Sequence, residues 1–129
     1  MTRRRLAEVS AYVGAALVLG TAVWHQTGYT SVTTLAAEAS PPLGPLMTAL
    51  WVYFALALVL SAALVLVSAR VGTPNRAVVL TIAALNPLAG AALQLVFLGF
   101  IPPTALLLGD GLVILLAAAL GSRVVSAVR

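Results

Sequence analysis

Apolar residues along this chain do not alternate with polar ones; they come in four unbroken blocks separated by short joints. The blocks run from Leu6 to Trp24, from about Leu46 to Ala69, from residue 77 through Phe100, and from Pro103 to about Gly121. Each holds about 19–24 residues, which at 1.5 Å of helical rise matches the ~30 Å hydrocarbon core of a bilayer. Backbone amides in lipid must be paired within the protein, so blocks of this kind fold as helices; the missing period-two alternation argues against a β-barrel. The pattern therefore predicts an all-α integral membrane protein. Residues 1–129 form a single transmembrane domain, a four-helix bundle running up-down-up-down.

The joints carry turn chemistry. Pro41, Pro42, Gly44 and Pro45 punctuate the start of the second span, where proline is tolerated in a first helical turn. Residues 31–39 read as a short interfacial helix in the first outer loop, with Ser31 as N-cap. Gly72, Thr73, Pro74 and Asn75 form a tight turn, and Phe100-Ile101-Pro102-Pro103 a shorter one that makes the third and fourth spans antiparallel neighbours.

Composition removes whole classes of function. The chain is 62% hydrophobic and 8% charged, against about 45–50% apolar and about 25% charged in soluble domains. Too few polar side chains exist to cover a water-facing surface, and a nucleic-acid-binding module is excluded with it. Cysteine and lysine are absent and histidine occurs once, which removes thiolate chemistry, Schiff bases and a one-chain histidine metal site. No metal or cofactor is expected.

Charge placement sets an orientation. All seven arginines fall in residues 1–5, 70–76 and 122–129, which four spans put on one side; the opposite side receives Glu38 and no arginine. That positive-inside pattern predicts cytoplasmic termini in an inner or plasma membrane of bacterial-like type. Trp24, Tyr29, Trp51, Tyr53, Phe54, Phe97 and Phe100 gather at the other end of the spans, where amphipathic rings favour the headgroup level. Ala37-Glu38-Ala39 has the form of a leader cleavage site, but it lies too far beyond Trp24, and the first block reads as a span.

Few residues are left to carry chemistry. Asp110, flanked by Gly109 and Gly111, lies about seven residues inside the fourth span. A carboxylate there costs at least ~2.5 kcal/mol on insertion scales, so it is expected to face protein or water. Gln94, placed at similar depth on the third span, is the expected hydrogen-bond partner. Asn86, which precedes Pro87, either caps the Ala83 carbonyl that the proline frees or joins Asp110 and Gln94 in a polar cavity with His25 at its mouth. Ser61 and Ser68 are placed to bond back to their own helix, and Glu8 to pair with Arg4 or Arg5. Ala7, Ala11, Gly14, Val18, Thr21 and His25 share one face of the first span, a mostly small stripe that admits close helix packing within the bundle or across a homodimer. Gly109 and Gly111 are expected to do the same for the fourth.

Span number and length are similar to those of small multidrug transporters, yet the membrane-embedded glutamate of that family has no counterpart here, since the only glutamate of the first span is Glu8 at its edge. The leading expectation is a membrane protein with a polar pocket around Asp110 that binds or transports a small or lipophilic molecule, or protons. The alternatives are a non-catalytic scaffold or subunit of a membrane complex, and an intramembrane enzyme acting on a lipophilic substrate with Asp110 and His25 as acid and base.

Overall fold

A computed structural model describes the backbone of residues 2–71 and 75–126 and the side chains of 2–70 and 75–121. Among these residues there are five helices and no strand: α1 (Arg3–Gln26), α2 (Tyr29–Glu38), α3 (Leu43–Val71), α4 (Arg76–Leu98) and α5 (Pro102–Ser126). Four of them, α1, α3, α4 and α5, are long and apolar enough to cross a membrane. The shortest apolar stretch, Pro102–Gly121, is 20 residues, or about 30 Å of helix. Most of the turn expected at Gly72–Asn75 lies outside the described residues, as do Arg129 and the side chain of Arg123.

The start of α1 is fixed locally. The Thr2 side chain accepts from the Arg5 amide at 3.4 Å, and Arg4 Nε donates to Glu8 Oε1 at 3.1 Å one turn on, the pairing expected of Glu8. The short helix between the first two apolar blocks is present as α2, slightly earlier than expected. Its N-cap is Gly28 and not Ser31, which lies inside the first turn. The chain gains the extra turn because Thr27 and Gly28 bond back to the last carbonyls of α1, at Trp24 and His25, and Val32 then bonds Gly28. α5 opens on Pro102, as the double proline implies.

The long helices close a ring: α1 packs on α3 and α5, and α4 packs on the same two. α2 packs on α3. Each long helix contributes one stripe of buried positions with three- and four-residue spacing, the signature of helix-on-helix packing. On α1 it is Ala7, Ser10, Ala11, Gly14, Ala15, Val18, Thr21 and Ala22. On α5 it is Thr104, Leu107, Asp110, Gly111, Ile114, Ala117 and Ala118. The core is largely alanine, with Leu58, Val65, Leu80, Leu107 and Ile114 as its bulk. Large side chains point the other way: Tyr53 is 70% exposed, Val96 75% and Phe97 76%.

Small residues set how closely the helices approach. A methyl group on Gly14 would stand 2.9 Å from Ile114 Cγ1, so the small stripe of α1 is spent on α5 inside this chain instead of lying free for a second copy. A methyl on Gly111 would collide with the Leu88 side chain of α4. Gly109 differs from the expectation for it: it meets nothing within 4 Å, because the buried stripe of α5 passes through 110 and 111 and leaves 109 outside. Gly121, at the end of the fourth block, likewise meets nothing within 4 Å. Between α4 and α5, Gly99 turns the chain at φ +79° with extended ψ, a conformation nearly confined to glycine.

Gly111→Ala is expected to lower stability by about 1–3 kcal/mol, because the added methyl must displace Leu88. Gly109→Ala, with open space around it, is expected to be neutral or stabilising by about 0.5–1 kcal/mol. Unfolding of both variants in detergent micelles measures this; equal effects would overturn the facing assigned to α5.

Candidate functional site

The register of α4 against α5 decides where the candidate polar residues go. The close pairs Gln94–Thr104, Gly90–Leu107 and Leu88–Gly111 fall on one helix as they rise on the other. Leu88 is thus the α4 neighbour of the Asp110 level, and Gln94 lies six residues away, about 9 Å along the axis. The expected Gln94–Asp110 hydrogen bond does not form. The tight turn at Gly99 starts α5 at once, so depth counted from the block boundaries misplaces the two residues relative to each other.

Each candidate instead meets a different helix. Asp110 is 2% exposed; its side-chain partner is the Thr21 hydroxyl of α1, and its Oδ2 is buried without a hydrogen bond. Asn86 Nδ2 donates to Ser61 Oγ of α3 at 3.2 Å, and Ser61 donates onward to the Ala57 carbonyl at 3.0 Å. Asn86 therefore reaches across to α3, and not to the Ala83 carbonyl of its own helix; α4 runs unbroken through Pro87. Thr104 Oγ1 lies 3.2 Å from Gln94 Oε1 and 3.3 Å from the Gly99 carbonyl, one proton facing two acceptors. His25 Nε2 donates to the Trp51 carbonyl of α3 at 3.2 Å.

Every seam of the ring thus carries a cross-helix polar contact: Thr21–Asp110 for α1 and α5, His25–Trp51 for α1 and α3, Ser61–Asn86 for α3 and α4, and Gln94–Thr104 for α4 and α5. The single cavity expected from Asn86, Gln94, Asp110 and His25 is divided into separate contacts. Two of the four, His25 and Gln94, do share a space. They line a cleft of about 320 Å³ where the ends of α1, α3 and α4 meet the turn before α5. Asp110 and Asn86 are not among its walls.

The cleft is built around an aromatic stack. The His25 ring lies on the Trp51 indole at 3.8 Å between centroids and 19° between planes, and meets Phe54 edge-on at 5.1 Å. Gly28 at the start of α2 closes on the Trp51 ring, with room for no methyl group: a Cβ there would be 2.8 Å from Trp51 Cζ2. Bonding to a carbonyl requires the proton on Nε2, which leaves Nδ1 of a neutral ring as an acceptor. Trp51 Nε1 is buried without a hydrogen-bond partner. Leu98, Ile101 and Pro103 supply an apolar wall.

Trp51, Thr104 and Arg76 were not singled out as contact residues by sequence reasoning. Arg76 Nη2 reaches the Ala7 carbonyl of α1 at 3.4 Å, at the end remote from the cleft. Trp51 was visible only as a headgroup-level aromatic, and Thr104 only as a residue of the first turn after a double proline. Ser68 does not bond back to its helix as expected; its Oγ is buried and unpaired. Among the described residues no group of three metal-ligating side chains comes together. Comparison with known protein families, curated proteins and solved structures gives no match.

The Asn86–Ser61 contact is expected to be worth about 0.6 kcal/mol, the average for interhelical polar contacts in membranes. A double-mutant cycle of Asn86→Leu and Ser61→Ala, followed by unfolding in micelles, measures the coupling. Strictly additive losses would show that the two side chains do not support each other.

Proposed function

We propose that this chain is an integral membrane protein of the cytoplasmic-type membrane that binds a small lipophilic molecule at the aromatic end of its four-helix bundle. Insertion is supported by the reversed distribution of side-chain size, with alanine inside and Leu, Val, Tyr and Phe outside. Soluble monomers rarely expose apolar surface on this scale. In this reading the four long helices cross up-down-up-down, both ends of the chain lie on the arginine-rich cytoplasmic side, and α2 rests on the outer surface with the cleft beneath it.

The observation that carries the binding function is the cleft itself: a space of about 320 Å³ with an apolar wall and a few polar groups from three helices. Ligand sites have this make-up. Asp110 has a different part in this reading. Enclosed between α1 and α5 and bonded to Thr21, it serves as interhelical contact, the role expected of a scaffold. Catalysis by Asp110 and His25 as a pair is disfavoured, because their partners lie on separate seams.

The absence of cysteine lets single introduced thiols report the topology. In intact cells, Thr33→Cys is expected to react with a membrane-impermeant maleimide and Thr2→Cys only after permeabilisation; the reverse order would invert the orientation. Native mass spectrometry from mild detergent tests the binding role. The wild type and Asp110→Asn are expected to retain a bound small molecule or lipid that Gln94→Leu loses. Loss in Asp110→Asn with retention in Gln94→Leu would move the site to Asp110, and bare protein throughout would leave the scaffold role.

A further inference from the structure

Two half-buried side chains on the cleft wall, His25 and Gln94, keep unused hydrogen-bonding capacity of opposite kinds. His25 gives its Nε2–H to the Trp51 carbonyl; its Nδ1, an acceptor in the neutral ring, is neither bonded nor buried. Gln94 turns Oε1 to Thr104, and its amide NH2 is a donor that is likewise neither bonded nor buried. The other polar groups nearby are already served. Thr27 has its hydroxyl proton on the Trp24 carbonyl at 2.7 Å and stands exposed, where water reaches its oxygen. Trp51 Nε1 is buried, out of reach of anything in the cleft. Among the described residues no charged side chain lines the space. A carbonyl or ether oxygen would serve Gln94 and leave His25 unpaired, and an amine or carboxylate would bring a charge that nothing there offsets. A hydroxyl is the smallest neutral group that donates and accepts at once. The volume of about 320 Å³ is at the lower end of the ligand-site range, which fits a single ring or one polar head and not a whole lipid.

We propose that the cleft holds a neutral, membrane-soluble molecule by a hydroxyl group, which donates to His25 Nδ1 and accepts from the Gln94 amide, with Leu98, Ile101 and Pro103 against its apolar body. The proposal rests on the ligand-binding reading above and specifies its chemistry. Such a hydroxyl comes from two sources, the phenolic group of a ring compound and the chain alcohol of a lipid.

The test uses the full-length protein in vesicles of ether-linked phosphatidylcholine, which carries no hydroxyl. Quenching of tryptophan fluorescence by bromine is followed for a matched pair, para-bromophenol and its methyl ether; Trp24 and Trp51 both line the cleft. The ether keeps the acceptor oxygen and lacks the donor. With concentrations expressed per lipid, quenching by the phenol is expected to saturate, at an affinity about tenfold above that of the ether. His25→Phe is expected to weaken the phenol alone and bring the pair to equal affinity. Gln94→Leu should weaken both by the same factor, and Gln26→Leu, off the cleft, neither. A substitution that merely disturbed the cleft's shape would weaken both probes, so the His25→Phe contrast reports the hydrogen bond itself. Competition then separates the sources. Displacement of the phenol by decanol but not by decyl methyl ether assigns a chain alcohol, and displacement by neither assigns a ring hydroxyl. Equal affinity of phenol and ether in the wild type, a tenfold contrast that survives in folded His25→Phe, quenching linear in the phenol, or displacement by both decyl compounds alike overturns the proposal. If His25→Phe does not fold, the wild-type contrast decides alone. A molecule without a hydroxyl retained in native mass spectrometry would overturn this proposal while leaving the binding function standing.

Discussion

Helices of this composition hold together only where their backbones come close. In the membrane proposed for these four apolar helices, burying a leucine would gain little, since lipid offers it the same surroundings. What remains is van der Waals contact, and contact requires small side chains at the seams. Ala11, Ala15, Ala62, Ala83, Ala84 and Ala117 are there, all but fully buried, with Gly14, Gly90 and Gly111 where an added methyl would meet a neighbouring helix within 3 Å. The outward placement of the large residues follows from the same constraint. Every position given to a bulky side chain at a seam would push two helices apart and weaken many contacts at once.

Close packing also governs the polar groups. Once backbones approach, a short side chain such as Ser61, Thr21 or Thr104 spans the gap, and its partner needs no more than the length of an Asp, Asn or Gln. Pairing is therefore local to a seam. A shared polar cavity would need the helices to part, which the alanine-rich stripes oppose. The cleft opens at the end where aromatic rings replace alanine. His25, Trp51 and Phe54 are too large to interdigitate in the same manner, and the cleft lies beside them.

The helices were legible in the sequence because block length and hydropathy are properties of single segments. So were the Arg4–Glu8 pair, the α1 stripe, the α5 start at Pro102 and the bond from Ser61 to its own helix, each of which depends on residues within one helix or one turn. Partners across seams were not. Asn86, Gln94 and Asp110 stand out in the sequence as polar groups in apolar blocks, but register depends on how many residues the turn at Gly99 consumes, and a difference of six residues puts Gln94 beside Thr104 instead of Asp110. Facing was the second loss: Gly109 and Gly111 look equivalent in sequence, and the two-residue step between them, about 200° around the helix, puts the first outside and the second against Leu88. Trp51 carries the signal of a headgroup-level aromatic but none for its stack, which forms with a residue 26 positions earlier.

The ring of four seams, each with its own polar contact, limits how this bundle divides. Separating α1 and α3 from α4 and α5 breaks the Ser61–Asn86 and Thr21–Asp110 contacts together, the two that lie deepest. Separating α1 and α5 from α3 and α4 breaks His25–Trp51 and Gln94–Thr104 instead, both at the cleft. The first division uncovers a lone Asp carboxyl and an Asn amide; the second uncovers groups already beside an opening. In the second division the deeper contacts, Thr21–Asp110 and Ser61–Asn86, stay whole inside each half, so of the two ways to halve the bundle it is the one that its polar seams oppose least.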